Sequence, residues 1–218
     1  MKLARLKRHQ KAKESLPGAD EEAARVPGWR GQTREFLSFA GFFIGVLLVV
    51  VLIKAFVIQP YIVDGQSMEP TLNDHDRLLV DRIPRTIARI DGHAYVPKRG
   101  NIIVFNQSGI PGYNGPRQLI KRVIGLPGEE IIIRDNKLTI FSSADRQGFD
   151  PDFTLGYHPS TTQVMGSVDT MLGSNQIFVL GDNRNNSEDS RYFGPVNLNQ
   201  IVGKLSYRIM PFSQAQHF

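Results

Sequence analysis

The longest apolar run begins at Phe36, where FLSFAGFFIGVLLVVVLI sets 18 residues in succession without a charge, and apolar character continues past Lys54 to Ile58. At a rise of about 1.5 Å per residue, residues 36–58 form a helix about 35 Å long, enough to cross a hydrocarbon core of about 30 Å. The pattern predicts a transmembrane helix. A cleavable signal peptide has a shorter apolar region, about 7 to 15 residues, and small residues at its cleavage site. Lys54-Ala55-Phe56-Val57-Ile58 instead offers bulky side chains, so the helix is expected to remain as an anchor. Lys54 lies near the far end, where its ammonium reaches the interface on a long apolar stem.

Beyond Pro60 the pattern changes to short runs rich in Val, Ile and Phe, bounded by turn residues. Strands are expected at 77–82, 101–105, 118–124, 130–134, 137–141, 176–180 and 201–209. Asp135-Asn136 marks a tight turn that makes 130–141 a hairpin. No amphipathic run of good helix formers reaches a dozen residues, so the fold class is mostly β: one transmembrane helix, then an antiparallel β-sheet domain. Residues 142–175 are rich in Ser, Thr, Gly, Asp and Pro and read as a loop-like insertion or small cap. Three regions follow: a polar tail at 1–35 with a short basic helix around 3–13, an anchor at 36–58, and a β-domain at 59–218.

Charge changes this picture only through its position. The chain has a formal net charge of +5, but residues 1–35 hold nine Lys or Arg against five acids, leaving 17 against 16 in the remainder. A basic tail ahead of the helix places the N-terminus in the cytoplasm and the β-domain on the trans side of the membrane. It gives no footprint of nucleic-acid binding on the β-domain. The absence of cysteine excludes disulfides, thiolate metal sites and a cysteine nucleophile.

Three polar segments could carry chemistry. In Asp64-Gly65-Gln66-Ser67-Met68-Glu69-Pro70-Thr71-Leu72, Ser67 sits in a turn close to the helix end and is a candidate nucleophile. Most serines beside Gly and Pro merely form turns, and Glu69 breaks the G-x-S-x-G pattern. Among the histidines, His75, His93 and His158 are scattered, with no metal-ligand spacing. A better base is Lys121, in Leu119-Ile120-Lys121-Arg122-Val123-Ile124. A free lysine titrates near 10.4, so a general base at neutral pH needs a desolvated amine, and apolar neighbours supply that environment. Ser67 with Lys121 would form a Ser-Lys dyad. On this segment alone the commoner reading is that both cations reach solvent from a strand end. The third segment, Gly181-Asp182-Asn183-Arg184-Asn185-Asn186-Ser187-Glu188-Asp189-Ser190-Arg191-Tyr192-Phe193-Gly194, reads as a structured loop, its spacing unsuited to a calcium loop.

In this order, SMEPTL at 67–72, DRLLVDR at 76–82, KRGNIIVF at 98–105, IKRVIGLPGE at 120–129 and GDNRNNSEDSRYFG at 181–194 resemble the type I signal peptidases. These are membrane-anchored Ser-Lys endopeptidases that remove signal peptides from exported preproteins. The resemblance covers residues 36–210 and implies Ser67 as nucleophile, Lys121 as general base and Ser187 as a hydroxyl positioning the amine. It implies Asp189 and Arg191 as a supporting ion pair, with Asp182 and Arg184 in the same loop. It implies a groove for small side chains lined by Val63, Met68, Leu72, Leu78, Val104 and Ile120, and an oxyanion donor at the Ser67 amide. No cofactor or metal is implied. The implied partners are preproteins, the lipid bilayer and the export translocon. Gly65 stands where some members carry a serine that donates to the oxyanion. Two rival readings are a non-catalytic membrane-anchored binding module and a self-cleaving repressor-type Ser-Lys protease. The second would carry a DNA-binding domain where this chain has its apolar span.

Overall fold

The structure, a computed structural model, describes residues 29–110, 114–143 and 146–218. The tail expected at 1–35, with its short basic helix, falls almost wholly outside them. The chain divides between Leu47 and Leu48 into two units. Helix α1 (Trp29–Phe56) contains the apolar run, whose large side chains are exposed along its length. It begins seven residues before the expected start, because a polar sequence can continue a helix that an apolar segment stabilises. It stops at Phe56, and the apolar residues after it turn to strand.

Among the described residues eleven strands follow, with three short α-helices. They are β1 (Ile58–Ile62), β2 (Arg77–Asp81), α2 (Ile83–Ile90), β3 (Ile102–Gln107), β4 (Arg117–Gly125), β5 (Glu130–Arg134) and β6 (Lys137–Phe141). After these come α3 (Pro151–Thr154), β7 (Val168–Met171), β8 (Gln176–Leu180), α4 (Ser190–Phe193), β9 (Val196–Asn197), β10 (Ile201–Met210) and β11 (Gln216–His217). The expected mostly β class is thus observed, and all seven expected strands are present.

The larger sheet has strand order β1-β2-β10-β3-β4-β8-β9, with β11 added to β10. Each pairing is antiparallel. The smaller sheet has the order β6-β5-β7, and of its strands β7 alone falls within residues 142–175. Its hairpin turns at Asp135 and Asn136, both at positive φ (52° and 59°), the backbone that a two-residue turn of this hand requires. The strict two-residue period sends Ile131, Ile133, Leu138 and Ile140 inward, where they pack with Ile124, Val164, Leu172, Phe178 and Leu180. The insertion at 142–175 is less loop-like than its composition suggests. It includes α3, started by the Asp150 side chain accepting from the Asp152 N–H, and β7, which pairs with β5.

β4 links the two sheets. Of its first four residues Gln118 is exposed and the others are partly buried, and from Lys121 to Gly125 it is buried, running between β3 and β8. Leu119 and Val123 join one apolar cluster, with Ile103, Phe105 and Val179, while Ile124 joins the cluster beneath the small sheet.

Candidate active site

Ser67 lies on the segment between β1 and β2, which is pinned from both sides. The Val63 N–H donates to the Asp76 carbonyl (2.9 Å), and the Gly65 N–H, at φ 101°, donates to Asp74 Oδ1 (2.9 Å). Just after the serine, Met68 and Leu72 are buried completely, beside Val63, Leu78, Ile102 and Leu205. The apolar residues around Ser67 therefore act as an anchor, holding a half-buried hydroxyl at the surface of the core.

Fifty-four positions later in the chain, Lys121 meets it. Lys121 Nζ donates to Ser67 Oγ (2.7 Å) and to the Ile120 carbonyl (3.0 Å), and the residue is only 3% exposed. Burial pushes the amine down from 10.5 to about 8, partly opposed by the negative charges of Asp189, Glu188 and Asp182. About half of such a population is neutral at pH 8, against well under about one per cent for a free lysine. A hydroxyl touching an amine that deprotonates this readily is the pairing that general-base activation of a nucleophile requires.

The loop after β8 grips the serine segment from the far side. The Asn183 N–H donates to the Ser67 carbonyl (3.0 Å), and Asn183 Nδ2 to the Gln66 carbonyl (3.1 Å). Gly181 permits this approach: a Cβ there would lie 2.2 Å from Ser187 Oγ and 2.4 Å from the Ser67 carbonyl oxygen. Asp189 pairs with Arg191 (Nε to Oδ1, 2.8 Å; Nη2 to Oδ2, 2.9 Å) and also accepts from the Gly181 N–H (3.0 Å). Asp182 and Arg184, neighbours in sequence, each pair outside the loop. Arg122 donates twice to Asp182 (2.8 and 2.5 Å), and Arg184 forms a two-pronged pair with Asp152 of α3, both side chains fully buried. Tyr157 bridges the two pairs: its hydroxyl donates to Asp152, and its ring lies 4.1 Å from the Arg122 guanidinium.

Ser187 is buried nearby. Its Oγ has no hydrogen-bond partner among the described residues, so the bond to the lysine amine that the sequence resemblance implies is not formed. A cleft of about 180 Å³ leads to Ser67 and Lys121, lined by Val63, Leu78, Val104 and Ile120 among others. Met68 and Leu72, expected in the lining, pack behind it in the core. Among the described residues, no group of three or more His, Asp or Glu is placed to hold a metal ion.

Sequence reading missed Gly181, Asn183, Arg122, Asp152 and Tyr157 as parts of this network. Gly181, Asn183 and Arg122 lie in segments that the sequence singles out without giving them a role, and Asp150-Pro151-Asp152 carries the capping residue and early proline of a helix start. A helix start does not name a partner 32 residues away.

A sequence profile of the family described as "Signal peptidase, peptidase S26" matches residues 36–210. The chain belongs to that family. A signal peptidase I of Bacillus caldolyticus is 37% identical over 179 residues, covering 76% of this chain and 87% of its own. Signal peptidase IB of Staphylococcus aureus strain N315 is 32% identical over 180 residues, covering 78% and 87%. A crystal structure of a signal peptidase I from Enterococcus faecalis V583 is 30% identical, covering 50% of this chain and 97% of that one, with a TM-score of 0.35. At family level this is a type I signal peptidase, consistent with a membrane-anchored serine endopeptidase. It has a single helix long and apolar enough to cross a membrane among the described residues, and a large β-domain outside it.

Proposed function

We propose that this signal peptidase cuts preproteins by a Ser67–Lys121 dyad, after small residues, on the trans side of the membrane. The observation that carries the reading is the 2.7 Å contact between a hydroxyl and a buried amine whose pKa falls to about 8, beside an apolar cleft. Neutral Lys121 accepts the Ser67 proton as Oγ attacks the scissile carbonyl. The Ser67 N–H, without an acceptor among the described residues, faces the developing oxyanion. Lys121 then returns the proton to the leaving amine and activates the water that hydrolyses the acyl-enzyme. Ser187 holds a buried, unpaired hydroxyl that would orient the amine only once a bond to Lys121 forms, as on substrate binding. Asp189 with Arg191, and Asp182 and Arg184 through Arg122 and Asp152, hold the loop that positions Ser67.

Val63, Leu78, Val104 and Ile120 contact the substrate, and Met68 and Leu72 support that wall from behind. Residues 1–35 form the cytoplasmic tail, 36–58 the anchor and 59–218 the catalytic domain, oriented by the tail's excess of nine cations over five acids. Anchoring confines the enzyme to the surface at which preproteins arrive, beside the export translocon, and so raises its effective concentration.

The test incubates the detergent-solubilised full chain with an exported preprotein and maps the new N-terminus. Cleavage is expected after a small residue, with kcat lowered by about 10⁴-fold or more in Ser67→Ala and Lys121→Ala. Activity should rise with pH through about 8, where the Lys121 amine loses its proton. Full activity in Lys121→Ala, or a flat profile from acid to alkaline pH, would overturn the dyad. Binding of preprotein without cleavage would leave a non-catalytic module.

A further inference from the structure

Outside the cleft, α2 carries three exposed isoleucines and a cluster of arginines that the catalytic reading does not use. Its eight residues, Ile83-Pro84-Arg85-Thr86-Ile87-Ala88-Arg89-Ile90, form a helix because Asp81 Oδ1 accepts the Ile83 N–H (2.8 Å) and Pro84 suits the first turn. None of them is buried, and Ile83, Ile87 and Ile90 are 40%, 52% and 78% exposed. The helix lies against the last residue of α1: the Thr86 hydroxyl donates to the Phe56 carbonyl (3.3 Å) as well as to the Arg82 carbonyl (3.0 Å). Between them is a groove of about 330 Å³ lined by Phe56, Arg82, Arg85, Thr86, Arg89 and Ile90.

Three guanidinium groups thus share one groove. None of them pairs with a carboxylate among the described residues, and the Arg82 guanidinium donates to the neutral Gln59 amide oxygen (3.3 Å). Burial together with Arg89 and Arg82 lowers the Arg85 pKa, the sign of positive charges crowded without a counter-ion. An anion fits this site. The isoleucines decide which kind: a free phosphate has no use for apolar side chains beside it, whereas a phospholipid presents a phosphate and hydrocarbon together. The end of α1 at Phe56 puts the groove where a bilayer's headgroups begin.

We propose that α2 lies in the membrane interface and that Arg82, Arg85 and Arg89 bind the phosphate of an anionic phospholipid, with Ile87 and Ile90 against its acyl chains. The site would hold the β-domain down on the bilayer. This rests on α1 crossing a bilayer and not on the Ser67 and Lys121 assignment.

Because the chain has no cysteine, one can be placed at the exposed His93, just past α2, and labelled with a fluorophore in the full-length protein reconstituted in bilayers. The readout is quenching by brominated phosphatidylglycerol against brominated phosphatidylcholine. A basic residue near an anionic surface is worth about a fivefold preference, so the anionic lipid should be favoured roughly a hundredfold, and the preference lost in R82Q/R85Q/R89Q. Arg89→Gln alone should lose about fivefold, which keeps the test valid if the triple variant misfolds. Equal quenching by the two lipids, no quenching by either, or a preference that both variants retain would each overturn the proposal. So would displacement of the anionic lipid by an equal concentration of inorganic phosphate, which would make this a site for the free ion. Quenching is read without cleavage, so a chain that cuts no preprotein can still pass or fail.

Discussion

The small β6-β5-β7 sheet and the loop after β8 pack into the same region of the domain, yet they are held by opposite means. The sheet is regular backbone filled by Ile131, Ile133, Leu138 and Ile140, and apolar burial, which has no direction, is enough to stabilise it. The loop is irregular backbone whose shape comes from three ion pairs, Asp182–Arg122, Arg184–Asp152 and Asp189–Arg191. A paired carboxylate and guanidinium fix distance and angle together, at the cost of desolvating two charges. The contrast teaches that apolar packing supplies stability where tolerance is acceptable, and charged pairs appear where an amide or hydroxyl has to be placed to within a fraction of an ångström.

That contrast can be broken most forcefully at Asp182. Asp182→Ala leaves Arg122 buried without its counter-charge and should cost about 4 kcal/mol of stability in detergent-phase unfolding, with activity per folded molecule also falling. A loss of stability with full activity in the folded fraction would remove the positioning role of the pairs. In the sheet, Ile133→Ala opens a cavity and should cost about 3 kcal/mol while kcat of the folded fraction stays within about twofold. A tenfold fall in kcat would mean that the sheet also positions the site.

Lys121 sharpens the comparison through pH. Its folded-state pKa, about 8, lies below the ordinary 10.5, so between those values the unfolded chain binds a proton that the folded chain does not. Stability should therefore rise from pH 8 to 10.5 relative to Lys121→Met, by up to about 3 kcal/mol, and show no such difference in slope below pH 8. Parallel stability curves for the two proteins would show that the buried amine carries no desolvation cost. The smallest effect is expected at the hairpin turn, where Asn136→Gly relieves a positive φ and should add about 0.5 kcal/mol in the same unfolding assay, without touching activity.

Legibility follows the same division. The hairpin could be read because the turn residues Asp135-Asn136 sit between two short apolar runs, whereas the alternating burial of those strands appears only in the fold. β7 could not: Val168-Asp169-Thr170-Met171 looks polar, and it becomes a strand only because β5 offers it a paired edge. The apolar run reads as one element as far as Ile58, since an apolar residue reads alike in both settings, but the backbone changes after Phe56 and Ile58 opens β1. In the site, Ser67 and Lys121 were legible as residue types in suggestive surroundings. Met68 and Leu72 were expected in the cleft wall but lie behind it, because apolar character marks burial without saying on which side of the backbone it occurs.

By itself, the sequence determined what depends on neighbours in the chain: a helix long enough to cross a bilayer, the turn of the hairpin and the composition of three polar segments. The tertiary structure decided everything that depends on meeting across the chain. Lys121 reaches Ser67 at 2.7 Å only because β4 and the serine segment converge on one core, and its pKa falls to about 8 only because that convergence buries the amine. Desolvation and ion pairing are properties of three-dimensional surroundings, and no spacing along the chain encodes them directly.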